Sequence, residues 1–247
     1  MAELPHEEQL AAAFVDLADT LVQDFDVIGF LHTLADHCVQ LLDVAAAGVL
    51  LATPGGLLVD AAASDERTRR LEVASLEWDE GPCRDCYHSR HQVPDVLLDT
   101  PAARKRWPRF APRAVQLGFA SVVACPLRLH EQTIGALNLF RDQPGPLGPS
   151  QLRLGQALAD TATIGVLHQR AVNEQMTLNA QLQAALDARV IIEQAKGNLA
   201  HRLDIDAEEA FRVLRIHARR RQMRLTDLAR QVLQGTADPT LLQRHGQ

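Results

Sequence analysis

The stretch "VIIEQAKGNLAHRL", Val190–Leu203, is apolar at helical spacing and yet carries Lys196-Gly197 in its middle. A glycine inside a helix costs about 1 kcal/mol against alanine. What it offers in return is close approach, because it has no Cβ. The helical reading extends in both directions. Upstream, residues 150–199 contain no proline and few glycines, so one long helix is expected there. Downstream, Asp206-Ala207-Glu208-Glu209 reads as an N-cap with an acidic third position. A helix follows with Ala210, Leu214 and Ala218 as its apolar line. Arg212, Arg215 and Arg219 stand at i, i+3 and i+7 on another face, flanked by Arg220 and Arg221. Thr226 is the expected cap of a further helix, with Leu228, Ala229 and Val232 inward and Gly235 at its end. Helices this short need one another, and the long helix, to bury a core.

The N-terminal part reads differently. Residues 7–43 are helical by the recurrence of Leu10, Phe14, Leu17 and Leu21, then Phe30, Leu34 and Leu41. "AAAGVLLAT" and "LLVDAAAS" are strands joined by a turn at Pro54-Gly55-Gly56. Residues 81–112 hold Pro82, Pro94, Pro101, Pro108 and Pro112 and read as loop. "FASVVACPLRL" and "QTIGALNLF" form a further pair of strands around His130-Glu131. "QPGPLGPS" breaks the chain before the long helix. The order gives an α+β domain, an antiparallel sheet with helices over one face. A long helix then joins it to an all-α module of three helices.

The long helix carries a possible seam. Ile164, Ala171, Leu178, Ala185 and Ile192 fall seven apart, while the companion line of Leu167, Glu174, Gln181 and Ala188 is polar in the middle. A parallel dimer seam and a solvated connector both fit this pattern.

Composition narrows the class. With 47% apolar and 23% charged residues the 247-residue chain has material for one large or two ordinary globular domains. No apolar run approaches the ~18 residues of a membrane helix. The acidic start "MAELPHEEQL" lacks the basic and apolar regions of a signal peptide. A cytoplasmic location is therefore expected, with Cys38, Cys83, Cys86 and Cys125 as thiols. Residues 1–183 carry 14 Lys/Arg against 23 Asp/Glu, whereas residues 184–235 carry 10 against 7. An acidic body with a basic C-terminal module points to an anionic partner for the module, although an arginine-rich helical surface alone gives the same count.

Two resemblances follow from these residues. "EGPCRDCYHSRHQVPDVLLDT", "RWPRFAPRAVQLGFASVVACPLRL" and "TIGALNLFRD" resemble a GAF domain of the actinobacterial type over roughly residues 20–170. That implies a small-molecule or redox sensor that often dimerises, and names no ligand. Arg189, Ile192, "EQAKG" (Glu193 to Gly197), Leu199, "AEEAF" (Ala207 to Phe211), Leu214-Arg215, Ala218, Leu225 and Leu228-Ala229 resemble the ANTAR domain across Asp187–Gly235. Ala200 stands where that family usually has methionine, and Gln222 where it usually has asparagine. The first is a packing change, and the second bears on a polar contact. The resemblance implies RNA binding. Family members bind paired short hairpins in a leader transcript and prevent a terminator from forming.

The expected organisation is a sensor domain at 1–170, a helical connector at 171–183, an RNA-binding module at 184–235 and a tail at 236–247. The expected RNA contacts are Lys196, Arg215, Arg219, Arg220 and Arg224, since guanidinium forks suit phosphates and guanine edges. Arg189, Gln194, Ala195, Gly197, Ala210, Leu214 and Ala218 are expected to build the motif, with Arg189 pairing to Glu193 at i+4. Gly197 then admits either a packed helix or an RNA backbone beside Lys196. Lys196 is a phosphate ligand or a solvated lysine. With 4% aromatics, base stacking is expected to lean on arginine.

Cys83 and Cys86 are the candidate sensor loop, read as a thiol pair or as partly buried cysteines beside a pocket. With His88 and His91 they are too tightly spaced for a structural zinc site, so no metal and no cofactor is expected. His32, His37 and Cys38 read as core or surface. No phosphate-binding glycine loop or Gly-x-Ser-x-Gly elbow occurs, and the chain is not expected to be an enzyme. Two alternatives stay open beside antitermination. One is a DNA-binding regulator that uses the arginine-rich face. The other is methionine sulfoxide reduction by Cys83, Cys86 and Cys125. A small-molecule ligand, leader RNA and a second copy of the chain are the expected partners, with no membrane.

Overall fold

The structure, a computed structural model, describes residues 6–19 and 26–242. Leu21 of the first helical line lies outside the described residues, as does the tail beyond Leu242. The elements in order are α1 (His6–Asp19), α2 (Val27–Leu41), β1 (Ala46–Ala52), β2 (Leu58–Ala63), α3 (Glu66–Trp78), α4 (Pro82–Ser89), β3 (Val93–Leu97), α5 (Pro101–Arg106), α6 (Phe110–Gln116), β4 (Ser121–Leu129), β5 (Gln132–Arg141), α7 (Pro149–Leu203), α8 (Ala207–Arg220) and α9 (Leu225–Gln234). A short 3-10 turn at Pro239–Leu242 follows. The chain divides into two compact units, Met1–Ala171 and Val172–Gln247.

In the first unit five antiparallel strands form one sheet in the order β2-β1-β5-β4-β3. Helices cover both of its faces, not one. Residues 47, 49 and 51 of β1 pack with Phe30, Leu31 and Leu34 of α2 and with Leu158 and Ala162 of α7. Residues 46 and 50 pack on the other side with Leu71 of α3, with Trp107 at the end of α5 and with Phe110 of α6. Every residue of β1 is buried, so its near-continuous apolar run reflects cover on two faces.

The segment 81–112 is not loop. Pro82 and Pro101 open α4 and α5, positions where a missing N–H costs no helical bond. Thr100 caps α5 by accepting from the Ala103 amide at 3.1 Å. Pro112 lies in the first turn of α6, and Pro94 lies on β3, an edge strand, where proline is tolerated. Pro82 and Pro101 thus start helices here instead of preventing them.

In the second unit the C-terminal part of α7 packs with α8 and α9 around Ala195, Leu199, Ala210, Leu214, Ala218, Leu228, Ala229 and Val232. Asp206 caps α8, accepting from the Glu209 amide at 2.7 Å. Thr226 does not cap α9. The N-cap is Arg224, without a side-chain bond, and Thr226 lies inside the first turn.

All three helices of this unit end in one geometry. Asp204, Gln222 and Gly235 adopt left-handed backbone with φ of 53°, 52° and 73°. The following amides of Ile205, Met223 and Thr236 then reach back to the carbonyls of Ala200, Ala218 and Gln231 at 3.1, 3.0 and 2.9 Å. At Gln222, where the family's usual residue is asparagine, the requirement is therefore conformational. Asparagine enters the left-handed region more easily than glutamine does. Gln222→Asn is expected to stabilise this unit by about 0.5–1 kcal/mol. Denaturant unfolding of both proteins checks it.

Candidate nucleic-acid interface and sensor core

The acidic and basic residues of the second unit sort themselves by ion pairing. Arg212 pairs with Glu209 at 2.5 Å, Arg221 with Asp238, and Arg230 with Asp227 at 3.1 Å. Lys196 is partly covered and pairs with Glu193 at 2.5 Å. That pairing overturns the expected Arg189–Glu193 bridge. Arg189 is exposed instead. Arg215, Arg219, Arg220 and Arg224 are exposed and form no ion pair among the described residues. They are the cations of the expected set whose charge no neighbouring carboxylate offsets.

The helix cores place the motif residues. Ala195, Ala210, Leu214 and Ala218 are buried, whereas Gln194 is exposed and does not build the core. Gly197 is exposed too. A Cβ built on it would meet nothing within 4 Å. Packing within this unit therefore gives no reason for a glycine there.

Beside the free arginines lies an open groove of about 1050 Å³. Phe211, Arg215, Ile216, Arg219 and Met223 line it, with Asp206, Glu208 and Glu209 toward the start of α8. The Arg215 guanidinium lies 5.8 Å from the centre of the Phe211 ring. Sequence reading missed Phe211 as a site residue because the chain is poor in aromatics. Its i, i+4 spacing to Arg215 was the available signal.

The first unit holds a buried polar centre that the sequence reading also missed. Glu72 of α3 is fully buried. Its Oε1 accepts from Asn138 Nδ2 of β5 at 2.8 Å. Gly48 of β1 leaves the room for it, since a Cβ there would stand 2.7 Å from Oε1. Glu72 Oε2 and Asn138 Oδ1 have no hydrogen-bond partner among the described residues. Burial pushes the carboxyl up to about 7, against the lowering by the Asn138 bond, and the nearby Asp60 adds to the rise. A glycine inside an apolar strand was the legible hint.

The candidate sensor loop is a helix. Cys83 and Cys86 lie on α4, buried, and their thiols donate to the carbonyls of Ala136 at 3.3 Å and Ala124 at 3.6 Å. Burial, with the neighbouring Glu72 and Cys86, raises Cys83 well above its ordinary value. Burial and Cys125 push Cys86 up to about 12. Burial also raises Cys125 to about 12, although Gln92 donates to its sulfur. Thiols held protonated in this way are poor nucleophiles and poor metal ligands. Among the described residues no group of three or more His, Cys, Asp or Glu is placed to hold a metal ion. His32 Nδ1 lies 3.2 Å from the Ala63 carbonyl, and His37 pairs with Asp16 at 2.9 Å. No helix among the described residues is long and apolar enough to cross a membrane.

Comparison with known proteins agrees with this division. The GAF domain family matches residues 26–166, and the ANTAR domain family matches residues 180–233. Comparison with curated proteins gave no match. Among solved structures, the GAF domain of a phosphoenolpyruvate-protein phosphotransferase from Coxiella burnetii is similar at a TM-score of 0.51 and 14% identity, covering 68% of this chain and 98% of that one. The GAF domain of the corresponding Acinetobacter protein gives 0.50 and 13%, covering 70% and 99%. The phycoerythrobilin-bound GAF domain of a cyanobacterial phytochrome gives 0.50 and 14%, covering 70% and 100%. At such identities the likeness concerns the fold alone. Both matched families are non-catalytic kinds of domain. The five-stranded sheet with helices, and the helical module that follows α7, thus place the chain among the proteins that join a GAF domain to an ANTAR domain.

Proposed function

We propose that the chain is a signal-responsive RNA-binding regulator of transcription antitermination. The observation that carries this is the set of exposed arginines, Arg215, Arg219, Arg220 and Arg224, left without acidic partners on the ANTAR unit. Leader-RNA hairpins offer such groups phosphates and unstacked loop bases. Lys196 contributes less, because Glu193 already holds it. The GAF unit is the sensor. The protonated, buried thiols favour a small molecule over a thiol redox signal as its input.

Residues 171–183 act as the helical connector, and a second copy of the chain pairs along α7. Leu178, Leu182, Leu186 and Val190 are exposed there at four-residue steps, a row that shares only Leu178 with the heptad line read in the sequence. Two modules brought together in this way hold two hairpins with an avidity gain. The signal acts by differing affinity for the paired and unpaired states. A duplex-DNA reader is disfavoured by α9, whose one cation, Arg230, is tied to Asp227.

Binding of the full chain to a two-hairpin leader RNA across a salt series tests the reading. The parent is expected to prefer the hairpins to a scrambled RNA and to resist excess duplex DNA. An Arg215→Ala/Arg219→Ala double variant is expected to bind at least about tenfold more weakly, with a salt slope shallower by roughly 1 to 2. Equal binding of hairpin and scrambled RNA, unchanged in the variant, would refute it.

A further inference from the structure

Phe211 is the sole aromatic residue between Val172 and Gln247. The unit does not spend it on its core, which is built from alanine, leucine and valine around Ala195, Leu214 and Leu228. It is half-buried at the wall of the open groove, with the Arg215 guanidinium over its ring. Aromatic side chains in a module this small are worth more inside than out, by the apolar area they hide. Leaving the ring at the surface therefore has a cost that packing does not return.

We propose that this groove takes one unpaired RNA base, stacked on Phe211 beside Arg215, with the adjoining phosphate on Arg219. The proposal rests on the RNA reading above. The groove's volume of about 1050 Å³ lies just above the range of small-molecule sites and is ample for a base with its sugar. The groove is also polar along its length. Asp206, Glu208 and Glu209 stand toward the start of α8, where Arg212 offsets Glu209 alone, and Arg215 and Arg219 lie about two and three turns on. A backbone phosphate is repelled at the first end and attracted at the second, which leaves the middle, at Phe211, for the base. Stacking tolerates any base, because each has a π-face. The groove thus supplies affinity for an unpaired nucleotide, and the sequence preference comes from elsewhere in the interface.

The test uses the full chain and the two-hairpin RNA with 2-aminopurine placed at one loop position at a time. The parent is expected to quench the probe at one loop position. Phe211→Leu, which keeps an apolar side chain without a π-face, is expected to lose that quench and to bind about tenfold more weakly with an unchanged salt slope. Phe211→Trp, with the same unfolding midpoint as the parent, is expected to retain both. If Phe211→Leu quenches and binds as the parent does while the double arginine variant still loses affinity, the groove proposal fails and the RNA reading stands. If the parent shows no preference for the hairpins, both fail. If Phe211→Leu instead alters the sedimenting mass and leaves the quench intact, the groove belongs to a second copy of the chain, and the proposal is overturned.

Discussion

Unfolding of the Glu72→Gln variant is expected to lose the part of the parent's pH dependence between pH 4.5 and 7 that Glu72 supplies. The parent carboxyl has an ordinary value of 4.5 and is pushed up to about 7 in the fold, chiefly by burial. The folded state therefore binds a proton that the unfolded state has already released across this window. Stability from this group is fully present below pH 4.5, falls as the pH rises, and levels off above 7. The gap corresponds to roughly 3 kcal/mol. Glutamine has the same shape and never ionises, so the variant stays on the acid-side plateau. It is expected to match the parent near pH 4 and to exceed it by up to about 3 kcal/mol at pH 8. Chemical denaturation of both proteins at four pH values is the measurement. Parallel profiles would mean that the fold pairs Glu72 well enough to hold it charged.

Gly135→Ala is expected to do the most damage to the fold. Gly135 lies on β5 opposite Leu51 of β1, at the centre of the sheet. A Cβ there would stand 2.2 Å from the Leu50 carbonyl oxygen and 3.1 Å from the Leu51 Cα. Both are backbone atoms of the neighbouring strand, so no rotamer change relieves the clash. Relief requires the two strands to part, which breaks ladder bonds between fully buried layers. A loss of about 3 kcal/mol or more is expected, with a sharply reduced soluble yield. Gly55→Ala is the control, since its Cβ would meet only Thr53 Oγ1 at 3.9 Å. Equal unfolding midpoints for the two variants would overturn the argument.

Legibility in the sequence followed the range of the forces involved. β1, β2, β4 and β5 were readable because their apolar runs and turns are local signals. So were α7, α8 and its Asp206 cap. α3 escaped because "ERTRRLEVASLEW" presents few apolar positions, and only Leu71 of them is fully buried. The helices within 81–112 escaped because proline was weighed as a breaker, without regard to its fitness for a first helical turn. The arginine face was legible as spacing, but the division between neutralised and free cations was not. Glu193 chooses Lys196 over Arg189, and Asp238 reaches Arg221 from 17 residues away. The Glu72–Asn138 bond links residues 66 apart, which no periodicity reports.

Gly197 faces open space on a helix that would be firmer with alanine by about 1 kcal/mol. For a chain judged on its own folding, alanine is the better letter at that position. The glycine leaves that stretch of helix open to close approach by a partner's backbone. Alanine at 197 separates the two accounts. It would raise the melting temperature in isolation and lower affinity only for a partner that presses its backbone against that spot.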